Sequence, residues 1–361
     1  MDILKPNYIT IGKLCFRSLE SWQNESESRR LREKTEEEAI DMMRASKCDD
    51  LCEDNDDNCD LNIERLKDSR LLLTVEVPKC FRGLIFGSKG QTKNRITSNT
   101  NTNIEIPREN QDGPLRIYGS SERDLRAARK RILDLIDSAR QKTEFTHFIA
   151  ITCENGDVKE KFIAFKNEVL SHCATSNGIC DQLFQHPNRL HLTFGILVLL
   201  DERERKEAES LLQRVVREFA YNEDKVKMRF QGLEYMNDDP AEVDVLYAKM
   251  KQVEGCVDIQ KLADNVVKEF SKIKLMKNVK SESVKFHLTL MNSKFKSRVE
   301  NWNEENTSTT KYRRETFDAR QVIREFGDYY FGECTVNDIA ILRHDAYDDN
   351  GCYKVTARIK L

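Results

Sequence analysis

Apolar positions in this chain recur in short runs with a period of two or of three to four, and each change of period marks an element. LLLTVEVP at 71–78 alternates and stops at a proline, as a strand does. KCFRGLIF at 79–86 and QTKNRITSNT at 91–100 read as short helices either side of the tetrapeptide GSKG. NTNIEIP at 101–107 and LRIYGS at 115–120 read as strands around a Gln111-Asp112-Gly113 turn. Ser121 then caps a long helix running to about Arg140, with Leu125, Ala128, Ile132, Leu135 and Ile136 on one face. Beyond Thr143 the runs FTHFIAITC, RLHLTFGILVL, VKMRFQGLEYM, VDVLYAKM, KFHLTLMNS, CTVNDIAIL and YKVTARIKL predict strands. VKEKFIAFKNEVLSHC, ERERKEAESLLQRVVREFA and CVDIQKLADNVVKEFSKIKL predict amphipathic helices.

This pattern divides the chain in three. Residues 70–142 and 143–361 are each folded, and the second is one α+β domain because no Pro/Gly/Ser-rich linker interrupts it. Residues 1–69 form an acidic, largely flexible arm with room for one helix at 33–46, followed by SKCDDLCEDNDDNCD with its seven acids. Lys294–Lys311 is a polar and mobile insertion.

Charge sharpens the division. The net charge of −3 hides 11 Lys/Arg against 18 Asp/Glu in residues 1–69, and 15 against 8 in residues 70–142. Only the middle segment carries the footprint of a polyanion binder. The apolar run 194–200 is far short of the roughly 20 residues of a membrane span, so no membrane partner is expected. The N-terminus lacks the apolar stretch of a secretory signal. Eleven cysteines without a CxxC pair suit reduced thiols in the cytosol or nucleus. Cys48, Cys52 and Cys59 lie among carboxylates without a nearby histidine, so no metal site is expected there.

Gly87-Ser88-Lys89-Gly90 falls between two helices in the order strand, helix, helix, strand, strand, helix. A glycine pair lets the backbone approach a sugar–phosphate chain and leaves helix N-terminal amides to meet the anion. LIFGSKGQTKNRI, with Leu84, Ile85 and Ile96 as core positions, resembles the KH family, whose GxxG loop clamps about four nucleotides of a single strand. The resemblance implies a type I KH domain that binds single-stranded RNA, with single-stranded DNA also open. Lys89 would meet phosphate first, and Lys93 and Arg95 would follow.

His191 and Thr193 sit two apart in RLHLTFG and so share one face of a strand. A single such pair is explained by a buried histidine bonded to a backbone carbonyl. KFHLTLM repeats it at His287 and Thr289, again with a basic residue two before the histidine, in a chain of only six histidines. A core histidine needs no twin. One imidazole can take a proton from an attacking hydroxyl while a second protonates the leaving oxygen. Two threonine hydroxyls can donate to phosphoryl oxygens as charge builds. Nothing in this set calls for a metal or an organic cofactor. Phe194, Tyr235 and Tyr247 are the aromatic candidates for stacking a base. His147, His172, His186 and His344 have no such companion.

Two H-x-T motifs on strands about a hundred residues apart resemble the 2H phosphoesterase superfamily. That resemblance implies a bilobed domain of two pseudo-symmetric α/β halves, with the motifs facing across a cleft and His191, Thr193, His287 and Thr289 at the reaction centre. KH followed by 2H, with THFIAI, GLEYMNDDPAEVDVLYAKM and FGDYYFGE, is similar to the KH–2H accessory subunits of activating signal cointegrator complexes. This further resemblance implies a nuclear protein, with a cytoplasmic pool also open, among helicase-containing complex subunits linked to transcription coactivation and alkylation repair. Two functions fit: a phosphodiesterase acting on RNA or 2′,3′-cyclic phosphates, or a non-catalytic adaptor holding phosphate-bearing ligands and protein partners.

Overall fold

The computed structural model describes residues 62–108, 110–153, 156–219, 226–253, 258–277, 283–296 and 315–361, together with the backbone strands β1 (Tyr8–Ile11) and β2 (Leu14–Arg17), which pair antiparallel. The helix expected at 33–46 and most of the 294–311 insertion lie outside the described residues. Contacts between residues divide the chain into two units, Met1–Lys142 and Thr143–Leu361.

In the first unit the strands are β3 (Ile63–Arg65), β4 (Leu71–Val75), β5 (Asn103–Glu105) and β6 (Leu115–Gly119), ordered β3-β4-β6-β5 and antiparallel throughout. Helices α1 (Lys79–Phe86), α2 (Gln91–Thr100) and α3 (Glu122–Lys142) complete the expected order. Ser121 Oγ accepts from the Asp124 amide at 3.2 Å, so α3 begins at its predicted cap. Leu125, Ala128, Ile132, Leu135 and Ile136 are buried, and their helix packs on β4 and β6, whose Leu73 and Ile117 are buried too, as is Ile104 of β5. Strand β3, absent from the sequence reading, adds an outer edge beside β4. Ile85 and Ile96 are core, whereas Leu84 is only half-buried and Phe81 takes its place inside. Arg82, on the helix before the GSKG loop, is buried. Its Nη1 donates to the Gln111 carbonyl at 2.7 Å and its Nη2 to the Gly113 carbonyl at 2.8 Å, fastening α1 to the loop before β6.

The second unit holds two antiparallel sheets. One runs β11-β8-β7-β14-β15, from β7 (His147–Thr152), β8 (His191–Leu197), β11 (Met276–Lys277), β14 (Asp338–Tyr347) and β15 (Tyr353–Lys360). The other runs β12-β10-β9-β13, from β9 (Val226–Tyr235), β10 (Val245–Gln252), β12 (Leu288–Asn292) and β13 (Tyr330–Val336). Helices α4 (Val158–His172), α5 (Glu202–Phe219), α6 (Ile259–Lys272) and α7 (Arg320–Phe326) join one continuous core with both sheets. CTVNDIAIL is not the single strand its pattern suggested. Asn337 separates β13 from β14, and the chain passes there from one sheet to the other. Each sheet thus carries one H-x-T segment, β8 in the first and β12 in the second.

Candidate functional site

The GSKG loop owes its shape to its glycines. Gly87 has φ +70°, and a Cβ there would lie 2.3 Å from Thr92 Oγ1 and 2.9 Å from the Thr92 backbone nitrogen. Gly90 caps α2 in the left-handed region, and no side chain caps the first amides of that helix. Ser88 and Lys89 are exposed at the tip, Lys89 itself with φ +49°, while Lys93 and Arg95 are half-buried on α2. The loop therefore presents bare amides and a cation to an anion.

The two H-x-T segments share more than their letters. His191 Nδ1 donates to the Arg189 carbonyl at 2.7 Å, and His287 Nδ1 donates to the Lys285 carbonyl at 3.0 Å. A carbonyl can only accept, so each ring carries its proton on Nδ1 and leaves Nε2 with a lone pair. Thr193 lies opposite Ala150 on β7, and Thr289 lies opposite Tyr247 on β10. Immediately after each threonine the register slips by one residue: Phe194 is the extra residue of β8 and Leu290 that of β12. A bulge of this kind re-aims the side chains beside it. Both segments then show the same burial, with histidine and threonine half-buried and the residues after them inside. Neither threonine hydroxyl has a hydrogen-bond partner among the described residues. The Phe194 and Phe286 rings meet at 5.6 Å and join the two segments, one from each sheet.

The surroundings of the two imidazoles differ. His191 lies between Phe148, at 5.0 Å, and Tyr353, at 5.4 Å. Burial pushes its pKa down to about 4; the Arg189 carbonyl opposes the shift, and the charge of His287 adds to it. That last effect places the two rings within electrostatic reach of each other. His287 packs against Tyr247 at 5.4 Å, and its pKa is also lowered, first by burial and then by the Lys285 ammonium, against the opposing Lys285 carbonyl. Tyr247 donates to Glu234 Oε2 at 2.6 Å behind this contact.

The structure buries two of the three aromatic candidates and leaves the third half-buried. Phe194 and Tyr247 are buried, and Tyr235 packs against the core from its rim. Tyr353, which no sequence motif marks, borders open space beside His191. Tyr353 and His191 line a cavity of about 190 Å³ with Thr152, Asn188, Arg189, Asp348 and Arg358. Arg189 lies over the Tyr347 ring at 3.5 Å, and Lys285 over the Tyr247 ring at 5.6 Å. The basic residue two before each histidine was visible in the sequence; its tyrosine was not, because it comes from a distant strand. His147, buried on β7, bonds Thr146 Oγ1 through Nδ1 at 2.8 Å, and its Nε2 has no partner among the described residues. Among the described residues no group of three His, Cys, Asp or Glu is placed to hold a metal, and no helix is long and apolar enough to cross a membrane.

Comparison with known proteins supplies the lineage. Residues 72–134 match the KH domain family, and residues 145–361 match the AKAP7 2′5′ RNA ligase-like domain family. A Mus musculus protein, activating signal cointegrator 1 complex subunit 1, is 37% identical over 289 residues, which are 78% of this chain and 81% of that protein. Among solved structures, TT0787 of Thermus thermophilus aligns with 60% of this chain and 97% of its own, at 18% identity and a TM-score of 0.38. A structure described as a phosphoesterase aligns with 61% of this chain and 99% of its own, at 13% identity and a TM-score of 0.34. With a KH domain followed by a 2H phosphoesterase-like domain, the chain belongs to the family of activating signal cointegrator 1 complex subunit 1.

Proposed function

We propose that this RNA-binding, phosphoesterase-like chain is a phosphodiesterase acting on RNA or 2′,3′-cyclic phosphates through His191, Thr193, His287 and Thr289. The observation that carries the reading is the duplicated motif geometry, with two imidazoles held by carbonyls in the same tautomer and two hydroxyls left unpartnered beside them. His191 is the ring held more firmly neutral, so it takes the proton of the attacking hydroxyl or water at Nε2. His287, the histidine of the more polar half, acts in its protonated form, in which Nε2 has taken up a proton while Nδ1 keeps its own, and gives that Nε2 proton to the leaving oxygen. The threonine hydroxyls donate to the non-bridging oxygens, where charge grows as the phosphorus adds its fifth ligand. These groups supply both proton transfers, and no step is assigned to a metal or cofactor. The GSKG loop clamps a single strand through its backbone and Lys89, which raises the local concentration of phosphodiesters on the same chain.

The likeness to the mouse subunit supports placement among the helicase-containing activating signal cointegrator complex subunits, in the nucleus with a cytoplasmic pool, in coactivation and alkylation repair. Co-purification of tagged protein with a nuclear helicase tests the partner, and imaging tests the location. The enzymatic reading is tested by turnover of short RNAs and nucleoside 2′,3′-cyclic phosphates by wild type, His191→Ala and His287→Ala. Loss of turnover in both variants is expected; equal rates in all three would remove the enzyme. Nucleotide binding that needs both histidines, without any product, would instead favour the adaptor.

A further inference from the structure

Each H-x-T motif is part of a longer repeat, with a cation two residues before the histidine. The backbone of that residue holds the imidazole, and its side chain is itself held over a tyrosine: Arg189 over Tyr347 at 3.5 Å, Lys285 over Tyr247 at 5.6 Å. Arg189 is fixed a second time, by its Nε donating to the Gly351 carbonyl at 2.7 Å, which leaves the terminal nitrogens of the guanidinium uncommitted. Among the described residues neither cation makes an ion pair with a carboxylate. The nearest acids are engaged elsewhere. Asp348 Oδ1 accepts from the Asn350 and Cys352 amides, and Glu234 accepts from Tyr247. Arg358, on the same cavity wall as Arg189, has Asp338 at 3.3 Å.

Arg189, held by stacking with no carboxylate at ion-pair distance among the described residues, is preorganised for an anion that arrives with a ligand, and Lys285, whose charge is supported by Tyr247 and by Glu234 behind it, stays protonated to meet one. The scissile phosphate already has two imidazoles and two hydroxyls to meet it. The cavity lined by Arg189 and His191 includes neither His287 nor either threonine, so it lies to one side of the reaction centre. Lys285 occupies the corresponding position in the other motif.

We propose that Arg189 and Lys285 grip the phosphates flanking the one that reacts, so that the cleft takes oligonucleotides with a phosphate on either side in preference to mononucleotides. This rests on the phosphodiester reading of the cleft. The covalent step is unchanged, since the cations only place the strand, and their charge is in reach because stacking has already restricted their side chains.

The test uses the full chain and inert 2′-O-methyl dinucleotides, NpN and pNpNp, the second carrying terminal phosphates on both sides of the central linkage. Binding is read from the Cε1 proton signals of His191 and His287. All six histidines lie beyond residue 142, and a Lys89→Ala chain run alongside separates occupancy of the KH loop from occupancy of the cleft. Wild type is expected to bind pNpNp about tenfold or more tightly than NpN, a preference that shrinks with added salt. Arg189→Ala and Lys285→Ala should each remove part of that ratio. Arg189→Lys and Lys285→Arg should keep most of it, and pNpN and NpNp should assign each cation to one end. Equal affinities in wild type, or a ratio that the alanine variants leave untouched, would overturn the proposal and leave the phosphodiester reading standing. If neither dinucleotide moves either histidine signal, the phosphodiester reading falls as well.

Discussion

Lowering the pH should destabilise the second unit through His147, a residue with no part in the proposed chemistry. It is buried on β7, and its Nε2 faces no partner among the described residues. Burial, then the Arg205 and Arg343 guanidinium groups, push its pKa down to about 4 from an ordinary 6.5. The unfolded chain therefore binds this proton first. The stability owed to the neutral ring is complete above about 6.5 and is lost as the pH falls towards about 4. Between about pH 7 and about pH 5 the loss comes to about 2 kcal/mol, a large share of a typical domain's stability. The assay is hydrogen exchange of β7 and β14 peptides in urea at both pH values, which reports on this unit alone. His147→Phe keeps a ring of similar volume and removes the titration. Relative to wild type it should gain about 2 kcal/mol on acidification, whatever its offset at neutral pH. Parallel stability curves for the two proteins would refute the reasoning, because every other titrating group is common to both.

The site makes further predictions. The pH profile of kcat/KM should be a bell set to the acid side. Its lower limb should lie near 4, where His191 protonates, and its upper limb below 6.5, where His287 loses its proton. An upper limb above neutrality in the free enzyme would contradict the burial of His287. Thr193→Val and Thr289→Val should each lower kcat by about ten- to a hundredfold without changing the thermal midpoint, since neither hydroxyl bonds another described residue. Gly87→Ala places a Cβ 2.9 Å from a backbone nitrogen at φ +70°, and filter binding should show RNA affinity falling about tenfold or more. Arg82→Met leaves the Gln111 and Gly113 carbonyls without their donor and should cost the KH unit about 2–4 kcal/mol in urea unfolding.

The pairing of RLHLTFG with KFHLTLM was legible because chemistry demands side chains, and side chains are letters. What the letters withheld were relations between strands. The carbonyl bond that a lone buried histidine would have explained is present at both His191 and His287, so the plain account and the functional one describe the same bond. It buries Nδ1 and thereby fixes Nε2 as the reactive nitrogen. The bulges at Phe194 and Leu290 were hidden because a register slip is defined only against the partners β7 and β10, whose residues are far off in the chain. Phe194, open from its letter alone to a core place or a stacking one, lies in the core. Strand β3 escaped because Ile63–Arg65 is too short for its alternation to stand out from the acidic residues before it. Arg82 escaped because a buried arginine needs three carbonyls from one loop, and only the fold brings residues 108, 111 and 113 to it. Local pattern thus placed the elements and named the reacting groups, while the tautomer, the aim and the electrostatics of those groups came from contacts between residues far apart in the chain. A variant that keeps every motif letter but removes one such contact, such as Phe286→Ala at the Phe194 ring, should therefore keep the fold of each sheet and lose the alignment of the two histidines. Turnover would then fall while the hydrogen bond from each Nδ1 persists.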